Sequence, residues 1–243
     1  MRLLCPMLLL AAALAVMLPG QGRGEKTYMD LTFDDKTIDA PLGQGGTTIG
    51  EATWMHDNVR ATVRAAPFDT PSLELHNTHA SEAGPIVFDL PTGVVSSGLV
   101  GILVDLWFYQ TGPGWEPHIV LYSSDWYELC RIAVQDNGSL TVRDTVVAAT
   151  VPGYPTGRPL RVVLLLDMDS DAYSAWIDGV QWVDNRAMMV AGKSFHKVTF
   201  QTGWNSASEN RFSVDRILVL DQLPPVPVKS TTWSGIKALI GYD

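Results

Sequence analysis

Asp105, Trp107 and Tyr109 recur at every second position of one apolar run. A strand of period two puts all three on one face and Val104, Leu106 and Phe108 on the other. The second set is a core face. The first joins rings to a carboxylate, as a carbohydrate platform does: rings stack on sugar CH faces while carboxylates accept from hydroxyls. His118 and Tyr122 share a face of the next apolar run, and Trp115 and Trp126 lie in or beside the turns around it. Trp176 stands on the more polar side of a later run, under either a second packed layer or a ligand. Together these residues form the candidate ligand-binding set. Any one ring taken alone is explained as well by packing under a loop.

Other chemistries find less support. Asp167, Asp169 and Asp171 invite calcium, a hard cation that wants several oxygen ligands. An EF-type loop counted from Asp167 needs Gly and Glu where Ala172 and Asp178 stand, so an acidic hairpin turn is preferred. The sequence therefore requires no cofactor, with calcium kept as an alternative. Asp34 or Asp35 could join Asp215 in an edge site only if the first and last strands pair. His56, His76, His79, His118 and His196 lack zinc spacing. Gly43, Gly45 and Gly46 are not followed by the Lys-Ser/Thr of a phosphate loop, so residues 36–50 read as a long connection. No Gly-x-Ser-x-Gly occurs. Cys130 is the only cysteine outside the N-terminal leader and reads as a buried thiol.

The elements that must position these residues are strands. Pro159 to Asp184 reads as an antiparallel meander: Leu160–Leu166, an acidic break, Ala172–Ile177, the pair Asp178-Gly179, then Val180–Val183. Asp-Gly between β-type residues signals a type I′ hairpin, whose central residues both need positive φ. A two-residue loop sets Ile177 against Val180, Trp176 against Gln181 and Ala175 against Trp182. Tyr173, Ala175, Ile177, Val180 and Trp182 then share the core side. Further strands are expected at 28–33, 58–66, 72–76, 86–90, 99–110, 118–123, 127–134, 139–143, 146–151, 198–202 and 212–220. Many short strands between Gly, Pro, Asp and Asn turns predict a sandwich or barrel.

Residues 1–24 read as a signal peptide: Arg2, an apolar stretch Leu3–Leu18, then Pro19-Gly20. Residues 223–230 read as a Pro-rich linker. Residues 231–243 form an amphipathic tail with Trp233, Ile236 and Ile240 on one helical face and Leu239 beside them. That tail either docks on its own sandwich or serves as a sorting or attachment signal. The net charge of the 243-residue chain is −9, with no Lys/Arg cluster, which disfavours nucleic acid and anionic lipid. No segment after the leader is long and apolar enough to span a membrane.

The early strand ending Phe33-Asp34-Asp35, the unit Tyr173-x-x-Trp176-Ile177-Asp178-Gly179 and the closing strand Phe212–Ile217 resemble the concanavalin A-like lectin/glucanase superfamily in its LamG-like form. The resemblance covers about residues 25 to 221. It implies an all-β, two-sheet antiparallel jelly-roll sandwich over 25–222 with a curved, ligand-binding concave sheet. Residues 34–51 and 232–237 also resemble recurrent features of secreted bacterial proteins. Laminarinase-type members of the superfamily carry alternating glutamates and aspartate on one strand, whereas Asp105 has Leu103 and Trp107 as its i±2 neighbours. The expectation is a secreted, non-catalytic module with a glycan or cell-surface partner. The alternatives are a structural surface-display module, or a glycoside hydrolase or polysaccharide lyase with carboxylates converging from different strands.

Overall fold

The computed structural model describes residues 26–44, 52–77, 84–109, 117–135, 137–153, 157–203 and 211–224. Within these the chain forms strands and turns and no helix. In chain order the strands are β1 (Thr27–Thr32), β2 (Pro41–Gln44), β3 (Trp54–Met55), β4 (Val59–Arg64), β5 (Ser72–Asn77), β6 (Pro85–Asp89), β7 (Leu99–Phe108), β8 (His118–Tyr122), β9 (Glu128–Val134), β10 (Leu140–Arg143), β11 (Val147–Val151), β12 (Pro159–Asp167), β13 (Ala172–Ile177), β14 (Val180–Ala187), β15 (Lys197–Gln201) and β16 (Arg211–Leu220). They build two antiparallel sheets. The nine-stranded sheet runs β14-β13-β12-β7-β16-β5-β4-β2, with β1 also paired to β16; the seven-stranded sheet runs β11-β10-β9-β8-β15-β6-β3.

Period-two alternation decides which side chains meet between the sheets. Val100, Ile102, Val104, Leu106 and Phe108 of β7 enter the core, as do Ile119 and Leu121 of β8 and Val198 and Phe200 of β15. Each such burial contributes roughly 1.5–3 kcal/mol. Cys130 sits in the same core as a free thiol, and burial raises its pKa far above the usual thiol range. A ladder of rings links the two layers: Phe88 to Phe200 at 5.9 Å, Phe200 to Phe212 at 6.2 Å and Phe212 to Phe108 at 6.1 Å between centroids.

The meander is present with two changes of register. Asp178 (φ 50°) and Gly179 (φ 77°) take the left-handed backbone a type I′ turn needs. Ile177 faces Val180 and Trp176 faces Gln181, but Ala175 faces Val183. Trp182 is the extra residue of a bulge, and a second shift further along sets Arg186 against Tyr173. Val183 therefore fills the place expected for Trp182, which packs half-buried at the core margin, and Val180 is 43% exposed. Two strands arise inside the stretch read as connection or left unassigned. Pro41–Gln44 ends one sheet and Trp54–Met55 ends the other. Both are edge strands, where a proline or a two-residue pairing is tolerated.

The acidic break is turn chemistry. Asp167 accepts the N–H groups of Asp169 and Ser170, Asp169 accepts that of Gly98, and Asp171 accepts that of Gly192. The three carboxylates cap three different pieces of backbone. The first and last strands do pair, bringing Asp34 and Asp105 into the surroundings of Asp215. Burial foremost, then those two charges, raises the Asp215 carboxyl pKa. Among the described residues no three His, Cys, Asp or Glu side chains converge as a metal site.

Candidate functional site

Adjacent strands of one chain segment end on opposite sides of the molecule. β7 belongs to the nine-stranded sheet and β8 to the seven-stranded sheet. Asp105, Trp107 and Tyr109 point away from the core on the first sheet. His118 and Tyr122 point away from it on the second, since Ile119 and Leu121 between them are core residues. Trp107 and Tyr109 therefore share no groove with His118 and Tyr122. The residues 110–116 that join the two strands, with Trp115, lie outside the described residues, as does Trp204.

On the nine-stranded face each candidate already has a partner. Asp105 accepts two bonds from the Arg161 guanidinium, at 2.6 and 2.7 Å. Trp107 meets the edge of Phe68 at 5.9 Å. The Tyr109 hydroxyl lies 2.9 Å from the Ser213 hydroxyl, and the Arg211 guanidinium covers its ring. Trp176 packs on Leu103, Val163, Leu218 and Leu220. These four are its neighbours on the outward face of its own sheet. Asp105→Asn is expected to lower stability by about 1–2 kcal/mol, the worth of a charged pair reduced by the exposure of Arg161. Urea unfolding reads the change.

The seven-stranded face differs in keeping aromatic rings open. Register places Asp89, Lys197, Tyr122 and Glu128 in one row across β6, β15, β8 and β9. The row above holds Val87, Thr199, Val120 and Arg131, with Trp54 at the edge beside Val87. The next holds Gln201, His118 and Ala133. After β8 the chain makes a tight turn pinned by Ser123. Its backbone N–H donates to the Tyr127 carbonyl at 2.9 Å, and its hydroxyl accepts the Tyr127 N–H at 2.9 Å. That turn holds Trp126 at φ 66°, an unusual backbone for a bulky residue, and leaves it 53% exposed.

The Trp126 ring stands edge-on to Tyr122 at 5.6 Å, and Lys197 Nζ lies 4.8 Å from its centroid. Lys197 Nζ also donates to Asp89 Oδ1 at 2.9 Å. Arg131 grips Glu128 through two bonds. In the middle of the face the Thr199 hydroxyl is buried with no hydrogen-bond partner. Burial, then Arg131 and Arg143, pushes His118 down to about 4; the contact with Gln201 opposes this. Burial, and secondarily Glu128, raises Tyr122. The arrangement offers open rings and a lysine–aspartate pair on one surface.

Sequence reasoning missed Lys197, Asp89 and Thr199. Lys197 and Thr199 alternate with core residues Val198 and Phe200, a period-two signal that was readable. Their meeting with Tyr122 depends on β15 lying beside β8, and sequence order does not give that.

No family model matches the chain, and no curated protein sequence does. Solved structures do match. The T. cruzi calreticulin globular domain superposes with a TM-score of 0.53 at 10% identity, over 90% of this chain and 100% of that one. A sialidase superposes with a TM-score of 0.52 at 13% identity, over 65% of this chain. The chain spans 16% of that sialidase's length. These likenesses show the fold, a concanavalin A-like jelly-roll sandwich.

Proposed function

We propose that this chain is a secreted, LamG-like, non-catalytic module that binds glycan on the outer face of its seven-stranded sheet. One observation carries the reading. Trp126 is held at positive φ, open to solvent, against the edge of Tyr122 and under Lys197. A bulky residue in that backbone costs about 1–3 kcal/mol and persists where its surroundings hold it. Stacking on a sugar gives that cost a use, with the Lys197–Asp89 pair beside the same ring. Both solved neighbours agree with the sandwich but lend only their fold, so the ligand rests on this face alone. Export through residues 1–24 belongs to the same proposal.

The test is a polysaccharide panel read with and without calcium, followed by titration of any ligand found. Trp126→Ala is expected to weaken binding about 10- to 100-fold, the loss of one buried stacking contact. Its urea midpoint should stay within error of the parent. Trp107→Ala should leave affinity unchanged. Unaltered affinity in Trp126→Ala would move the site elsewhere. Binding to no polysaccharide under either condition would remove the glycan reading and leave the surface-display alternative.

A further inference from the structure

Leu103, Val163, Leu218 and Leu220 face away from the inter-sheet core, yet their exposures are 3%, 0%, 7% and 2%. With Trp176 they form an apolar strip across β13, β12, β7 and β16. An outward side chain on a sheet is that deeply buried only when something lies over it.

The described chain shows what begins to cover the strip. A Cβ added at Gly101 would fall 1.9 Å from the Gln222 carbonyl oxygen and 2.3 Å from Pro224 Cδ. Gly101 lies on the same outward side as Leu103, in register with Leu220. After β16 the chain therefore turns back and crosses the outer face over β7, at the border of the strip. Only a residue without a side chain lets it pass so close.

We infer that the chain's own C-terminal segment, residues 225–243, docks on this strip and completes its cover. The lengths agree. Four strands span about 14 Å. Residues 225–230, rich in proline, reach about 19 Å when extended. Residues 231–242 span about 18 Å as a helix. A helix that short is marginal alone and needs an apolar face to rest on. Trp233, Ile236 and Ile240 supply the matching face, and Ala238 lies on the opposite side of the helix. The inference is independent of glycan binding, which concerns the opposite side of the sandwich.

The experiment uses the full chain with Cys5→Ser and a nitroxide on Ala238→Cys; Cys130, fully buried, stays unlabelled. Methyl resonances of Leu103, Val163 and Leu218 are expected to broaden far more than those of Ile132 and Leu140 in the other sheet. Equal broadening, or none, overturns docking. Broadening that fades on dilution with unlabelled chain overturns it in favour of a second copy on the strip. In parallel, full chain carrying Trp233→Ala, Ile236→Ser and Ile240→Ser should bind several-fold more of an apolar dye than the parent. Unchanged dye binding also counts against the inference.

Discussion

Phe212→Ala is expected to lower unfolding stability by about 3–5 kcal/mol, the range for deleting a buried phenylalanine from a core that cannot collapse around the gap. Phe212 is 2% exposed and sits on β16 of the nine-stranded sheet. Its ring reaches Phe200 of the seven-stranded sheet at 6.2 Å and Phe108 of its own sheet at 6.1 Å. The substitution therefore opens a cavity at the seam between layers and removes two ring contacts at once. Each such contact adds about 0.5–1.5 kcal/mol beyond the area it buries. Neither sheet can close the gap by moving alone, because β16 also carries pairings to β1, β5 and β7. Urea unfolding should show a lower midpoint with an unchanged slope. Phe68→Ala, at the molecule's outside against Trp107, should cost much less. A loss under about 1 kcal/mol in Phe212→Ala would mean that the sheets do not meet through these rings.

That seam marks the limit of what the sequence made legible. The period-two runs gave the long strands, because alternation reports which face is apolar without knowing the neighbour. The Asp178-Gly179 turn gave one pairing, because a two-residue loop leaves the chain little choice. It lost register at Trp182, because a bulge inserts a residue that alternation cannot see. Sheet membership was the larger gap. Leu99–Phe108 and His118–Tyr122 are neighbours in sequence, and reading them as one platform assumed that they pair. They lie in different sheets. β7 pairs with β12 and β16, partners about 60 and 110 residues further along the chain. Non-local pairing of that kind is fixed by how two apolar faces close on each other, not by local pattern. So Asp105 and Tyr109 meet Arg161 and Ser213, while Trp126 beside Tyr122 stays open.

Acid should separate the two faces. His118 is neutral in the fold with a pKa of about 4, against 6.5 for an unperturbed histidine. The unfolded chain therefore takes up the proton first as pH falls. Stability is full above about pH 6.5, declines down to about pH 4, and gains no further loss from this group below that. A gap of this size corresponds to on the order of 3 kcal/mol. Burial is the main cause, and the Arg131 and Arg143 charges from β9 and β10 add to it, while Gln201 of β15 works against them. His76, on the other sheet, is lowered by burial and adds a decline of the same sign. The lowered carboxyls of Asp144 and Asp167 act mainly below about pH 4, and the raised carboxyl of Asp215 adds stability as pH falls, so neither produces a decline in this window. His118→Gln, which cannot be protonated, should remove most of the decline between about pH 6.5 and pH 4. What remains should follow His76 and vanish in His118→Gln/His76→Gln. An undiminished decline in the single variant would mean that His118 is open to water in the fold. Glycan affinity of the folded chain should fall near pH 4, where His118 takes up its proton in the fold, if the seven-stranded face is the binding surface. Protonating His118 there sets a third cation beside Arg131 and Arg143, and the face can relieve it only by loosening the strands that present Tyr122 and Trp126.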